Sequence, residues 1–158
     1  MQNKFKISVL IPCYNEENTI SQVILKVETA IKKLELEYEI IVIDDNSNDK
    51  SLEIVSEFHN QNRIKLLSHQ KNFGKGAAIN TGLKHVSGEI VIIQDADLEY
   101  DPEDYKKLLL PFRETDADVV YGSRFLGGGK YVRIHFFWHY LANKILTFIC
   151  NLFSNLNL

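Results

Sequence analysis

Three short stretches of this chain are apolar at every position: Val9-Leu10-Ile11, Ile40-Ile41-Val42-Ile43 and Ile90-Val91-Ile92-Ile93. No other feature restricts the fold so severely. A strand with one face in water alternates apolar and polar residues, because successive side chains point to opposite faces. A run without alternation is buried on both faces, and such strands belong to parallel sheets covered by helices. Arg63 to Ser68 and Asp118 to Tyr121 are weaker strand candidates.

Helical patterns fill the gaps between these runs. Ile20, Val23, Ile24, Val27, Ile31 and Leu34 follow a 3.6-residue spacing. Thr19-Ile20-Ser21-Gln22 fits a capping box at the start of that helix. Lys50 to Phe58 and Lys75 to Val86 continue the series. Asp101-Pro102-Glu103-Asp104 is a helix start, with a capping Asp, a Pro suited to the first turn and acids at the positive dipole end. Strands and helices therefore alternate, which implies an α/β fold with a mostly parallel sheet. The 158 residues suit one domain. With 45% hydrophobic and 25% charged residues, disorder is excluded. Cys13 and Cys150 each lie in an apolar stretch without disulfide or metal spacing, so both read as reduced, buried thiols. The apolar run from Ile7 to Ile11 is too short for a signal peptide, which points to a cytoplasmic site of action.

The segment after residue 121 differs in charge and pattern. It holds Arg124, Lys130, Arg133 and Lys144 and no carboxylate, although the whole chain has 21 Asp+Glu. Such a basic tail suits an anionic partner, either a phosphate or a lipid surface, or forms a solvated face. From Ile134 onward, His135, His139, Asn143, Thr147, Asn151 and Asn155 recur every fourth position among apolar residues. A helix with a narrow polar stripe accounts for that pattern. No apolar run reaches the ~18 residues of a membrane span. The helix can lie on a membrane surface or cover one side of the sheet.

In an open parallel sheet, ligands bind beyond the carboxyl ends of the strands. The residues at those ends are Pro12-Cys13-Tyr14-Asn15-Glu16, Asp44-Asp45-Asn46-Ser47, Gln94-Asp95-Ala96-Asp97 and Gly122-Ser123-Arg124. They bring carboxylates, an aromatic ring and a guanidinium towards one crevice. Asp95 and Asp97 suit a hard divalent cation, which takes one or two carboxylates and completes its shell with water and phosphate oxygens. An EF-hand is excluded, because Tyr100 and Lys106 stand where Gly and Glu belong. Asn72-Phe73-Gly74-Lys75-Gly76 precedes a helix, but Gly76 replaces the Ser/Thr of a P-loop and Ile79 the third Gly of a dinucleotide fingerprint. That loop can still bring Lys75 and backbone N–H groups to an anion, or can be a simple helix entry. Of Asp44 and Asp45, one is expected to cap its loop and the other to receive a hydrogen bond from a base or ribose. Tyr14 can stack on a base. His135 and His139, four apart without a third ligand, read as part of the polar stripe. A nucleotidyltransferase is disfavoured, because Pro12 to Glu16 contains neither Gly nor a basic residue.

Taken together, Ile11 to Glu16, Val42 to Ser47, Asn72 to Gly76, Gln94 to Glu99 and Tyr121 to Phe125 resemble the family 2 glycosyltransferases, in order and over almost the whole chain. The polyprenyl-phosphate branch, with its dolichyl-phosphate mannosyl- and glucosyltransferase-like enzymes, is the nearest in appearance. The resemblance implies a three-layer GT-A (Rossmann-like) nucleotide-diphospho-sugar transferase fold. It implies inverting transfer of a sugar from a UDP- or GDP-sugar to a polyprenyl phosphate, with Mg²⁺ or Mn²⁺ as cofactor. Pro12, Tyr14, Glu16, Ile43 and Asp45 would then line the nucleoside pocket, with Ala96 near the ribose. Asp95 and Asp97 would hold the metal, assisted by Glu99. Asp97 and Arg124 would be the catalytic residues, and Arg124 would meet the diphosphate or the acceptor phosphate. Residues 1–130 would form the donor-binding domain. Residues 131–158 would form an amphipathic helix, part of that domain or facing the inner side of the plasma membrane as a peripheral contact. Nucleic acid is not an expected partner. Members of this branch continue past Asn155 to Leu158 into a Thr-Asp motif and acceptor-side elements. The chain is therefore expected to be a C-terminally truncated form, and a non-catalytic nucleotide-sugar-binding domain stands as the alternative.

Overall fold

The computed structural model describes residues 5–115, 117–122, 145–149 and 152. The chain divides into two units, Met1–Asp118 and Val119–Leu158. The expected boundary at residue 130 lies outside the described residues.

Among the described residues, the first unit contains four strands: β1 (Ile7–Cys13), β2 (Tyr38–Asp44), β3 (Lys65–Ser68) and β4 (Ile90–Ile93). Its helices are α1 (Ile20–Lys32), α2 (Ser51–Asn60), α3 (Lys75–Leu83) and α4 (Tyr105–Glu114), the last entered through a 3₁₀ turn at Pro102–Asp104. All strand pairs are parallel, in the order β3-β2-β1-β4. The α/β fold with a parallel sheet is thus present.

Alternation along β1 and β2 sorts their side chains onto two faces. Ile7, Val9, Ile11, Ile40 and Val42 join α1, α2 and α4 residues in the larger core, which includes Ile24, Val27, Val55 and Leu109. Leu10, Ile41 and Ile43 face the other way and pack with Ala78 of α3. Helices on both sides make three layers, which is why the runs at 9–11 and 40–43 contain no polar residue. Each such side chain, once buried, stabilises the fold by about 1.5–3 kcal/mol. Two glycines allow close approaches. A Cβ on Gly82 would sit 2.9 Å from the Ile43 Cδ1, and one on Gly88 would sit 2.6 Å from the Ser8 backbone nitrogen.

Four expectations need correction. Ile90–Ile93 is not buried throughout: β4 pairs with β1 alone among the described residues, and Ile93 is 48% exposed. Asp118 to Tyr121 carries no strand. Its apolar run is only Val119-Val120, too short to hold a register. The capping box at Thr19 does not form: the Thr19 hydroxyl accepts nothing from the helix and is turned to the Glu16 carboxylate, to which it donates (2.6 Å), while the Thr19 and Ile20 N–H groups donate to the Glu16 carbonyl. The helix starting at Lys75 ends at Leu83, short of Val86. By contrast, Asp101 caps its turn as read, accepting from the Glu103 N–H.

Within residues 119–158, the described backbone is helical at 145–149 and 152. Among the described residues, no helix is long and apolar enough to cross a membrane.

Candidate functional site

The chain runs outward from β1 through β2 to β3, then returns to place β4 on the other side of β1. The loops after β1 and β4 are therefore neighbours at one end of the sheet, and both lead to helices that pack in the larger core. Such a reversal of strand order leaves a crevice at the carboxyl ends, where ligands of open α/β sheets bind. A cleft occupies that position. Pro12, Cys13, Tyr14 and Glu16 line one side; Asp95, Ala96 and Asp97 line the other; Asp45, Asn72, Gly74, Lys75 and Ala78 complete it.

The first two loops are knitted together. Asn15 adopts φ 56°, in the left-handed region that Asn tolerates. Its N–H donates to the Ser47 hydroxyl (3.0 Å), and its side-chain oxygen accepts from the Asn48 N–H (2.8 Å). The Glu16 N–H donates to the Ser51 hydroxyl (2.7 Å), and Glu17 and Asp49 exchange further bonds with their opposite loops. This lattice holds the exposed Tyr14 ring at the cleft edge, with the Asn48 amide 3.4 Å from its hydroxyl.

The two aspartates after β2 divide their work. Asp44 is fully buried, and its Oδ2 accepts from the Ser47 N–H (3.1 Å), turning the loop. Its Oδ1 is buried without a hydrogen-bond partner. Asp45 reaches across to the loop after β3. It accepts from the Phe73 N–H (3.0 Å), the Gly74 N–H (2.6 Å) and the His69 Nδ1 (2.6 Å). The His69 Nε2 in turn lies 2.9 Å from the Thr81 hydroxyl on α3. Burial opposes the charge on Asp45, but these donors more than offset it and hold its carboxyl below the ordinary range. Asp45 therefore lines the cleft while its oxygens already serve the loop at 69–74.

The loop after β4 presents the acidic pair. Gln94 is buried and braces it: its amide N–H groups donate to the backbone oxygens of Asp95 (3.1 Å) and Tyr100 (3.2 Å). The Tyr105 hydroxyl of α4 donates back to the Gln94 Oε1 at 2.7 Å. Asp97 accepts from the Glu99 N–H (2.9 Å) around Leu98, which adopts φ 64°. A leucine in that region is strained, and such strain clusters at functional sites. Ala96 is buried under the cleft. The Lys75 ammonium, from the first residue of α3, contacts the Asp95 Oδ1 at 2.7 Å.

The structure thus gathers Pro12, Tyr14, Glu16, Asp45, Lys75, Asp95, Ala96 and Asp97 around one cleft. Ile43 is buried in the α3-side core and does not line it. Glu99 stands next to the acidic pair in sequence but not among the lining residues. Arg124 lies outside the described residues. Among the described residues, no group of three His, Cys, Asp or Glu side chains converges as a metal cage. Asp95 does already attract a cation, the Lys75 ammonium, and two cleft carboxylates suit an ion that takes most of its remaining ligands from water and phosphate. Sequence reasoning missed His69 and Thr81 as the support of Asp45. The signal was present: His69 follows directly on β3, whose carboxyl end was the one strand end left unread.

Comparison with known proteins gives a consistent result. The profile of glycosyl transferase family 2 matches residues 8–158. The chain is 34% identical over 125 residues to a dolichol-phosphate mannosyltransferase of Pyrococcus furiosus, covering 79% of this chain and 35% of that protein. It is 40% identical over 121 residues to an undecaprenyl-phosphate 4-deoxy-4-formamido-L-arabinose transferase of Photorhabdus laumondii, covering 75% of this chain and 37% of that protein. A mannosyltransferase from Pyrobaculum calidifontis, solved with GDP-Man and Mn²⁺, superposes with a TM-score of 0.53 at 30% identity, over 64% of this chain and 30% of that one. The chain therefore spans little more than a third of the length of the curated relatives it matches.

Proposed function

The chain belongs to glycosyl transferase family 2, and from that premise we propose that its cleft binds a UDP- or GDP-sugar and serves its transfer, with inversion, to a polyprenyl phosphate. The observation that carries this reading is the pairing of Asp95 and Asp97 after β4 with Tyr14, Glu16 and Asp45 across a strand-end cleft. Tyr14 offers its ring to the base. Asp45 would shape the nucleoside side of the cleft by holding the 69–74 loop that completes it. Asp95 and Asp97, with Glu99 assisting, would hold Mg²⁺ or Mn²⁺, and the bound ion would neutralise charge on the leaving diphosphate. Lys75 stands beside them as a further cation for the phosphates. Arg124 would serve the diphosphate or the acceptor phosphate. Residues 131–158 would meet the membrane surface that carries a lipid acceptor. The names of two relatives, which act on dolichol phosphate and undecaprenyl phosphate, support that acceptor class.

A thermal-shift panel of UDP- and GDP-sugars with Mn²⁺ tests the donor half. One nucleotide class is expected to stabilise the protein by ~2–3 kcal/mol at about a hundredfold excess over its dissociation constant. Asp97→Ala should abolish that stabilisation, and unchanged calorimetric binding by this variant sinks the assignment. Sugar transfer to an undecaprenyl phosphate, assayed on the same protein, separates a transferase from a domain that only binds donor.

A further inference from the structure

Lys75 presents a problem that donor binding alone does not solve. It is the first residue of α3, and the positive end of a helix disfavours a cation there. Its ammonium is placed on the Asp95 Oδ1, one of the oxygens a divalent ion would take. The Lys75 side chain is 58% exposed and Asp95 17%, so the ion pair lies at the cleft mouth. A pair so placed contributes little, and the long stem swings at little cost.

We propose that Lys75 is the resident counter-cation of Asp95 and exchanges partners when the donor arrives. This rests on reading the cleft as a donor site. Without donor, Lys75 neutralises Asp95, and an incoming divalent ion must displace it. A bare ion gains Asp95 only by leaving the Lys75 ammonium unpaired beside a second positive charge. A diphosphate removes that conflict, because it supplies the anion to which Lys75 turns while the metal takes the carboxylate. Metal and nucleotide therefore bind with positive coupling, and Lys75 supplies part of it. Coupling of this kind is reciprocal, so each ligand tightens the other by the same factor.

The test compares the wild type with Lys75→Met, a variant of similar length without charge. Mn²⁺ alone is titrated by calorimetry, and then UDP and GDP are titrated at saturating Mn²⁺. Lys75→Met is expected to bind Mn²⁺ alone about two- to fivefold more tightly, since the competing ion pair is gone. The same variant should bind the nucleotide about tenfold more weakly, having lost a charge-assisted contact. Lys75→Arg, which keeps the charge, should restore the wild-type order of affinities. Equal or weaker Mn²⁺ binding by Lys75→Met, or none by either protein, overturns the proposal. Failure of the wild type to bind either nucleotide overturns the donor reading and the exchange with it, while the metal-only titration separately decides whether Lys75 holds Asp95 against a divalent ion.

Discussion

At the scale of single residues, the cleft mixes groups held inert with groups held ready. Cys13 lines it and is 1% exposed. Burial, reinforced by the negative charge of Asp44, pushes its thiol up to about 12, despite a hydrogen bond with Ser51 that acts the other way. The thiolate is the nucleophile, so Cys13 should resist iodoacetamide at pH 8 in the folded protein and react once urea unfolds it. Peptide mapping by mass spectrometry reads this directly, and rapid native alkylation of the Cys13 peptide contradicts it. Asp45 illustrates the opposite case. Its folded carboxyl lies below the ordinary range, so its contribution is whole above about pH 4 and drains away only as acid protonates it in the folded state. Asp45→Asn is expected to cost about 1–3 kcal/mol at neutral pH, because N–H groups of the 69–74 loop lose a charged acceptor. Urea titrations across pH should show the gap between the two proteins narrowing below about pH 4.

At the scale of elements, the acidic loop is positioned by a helix that is distant in function. Tyr105 opens α4 and holds Gln94, which holds the backbone of Asp95 and Tyr100. Tyr105→Phe leaves a buried amide oxygen without its donor, at a cost of about 1–3 kcal/mol. A melting temperature lower by roughly 2–4 °C per kcal/mol is the expected readout for a chain of this size. An unchanged melting temperature would show that the Gln94 brace is dispensable. This brace marks the limit of what the sequence discloses. Gln94 and Tyr105 look like an ordinary polar and an ordinary apolar residue until the fold brings them together. The inner strands β1 and β2 were readable because burial on two faces removes polar residues from the runs at 9–11 and 40–43. The helix starting at Asp101 was readable because its cap and proline are local. The false capping box at Thr19 arose because the hydroxyl is oriented towards Glu16, three residues earlier, and a four-residue pattern does not include it.

At the scale of the molecule, the parallel order β3-β2-β1-β4 decides where chemistry is possible. Most of the candidate site was legible because strand ends are found wherever strands are found. Its inner connections were not, since Asp45 with His69 and Lys75 with Asp95 are contacts across the sheet's end rather than along the chain. The same topology also sets a timetable. Leu10 accepts the Gln94 N–H and Cys13 accepts the Asp45 N–H, so β1 serves partners at very different distances along the chain. Distant contacts must first meet the entropy of closing a long loop, which slows their formation. In pulse-labelled hydrogen exchange during refolding, the Asp45 amide should gain protection before the Gln94 amide. Simultaneous protection would mean that the sheet assembles in one step. If the order holds, the side of the cleft built by β1 and β2 exists as a surface before the acidic side arrives to make it a cleft.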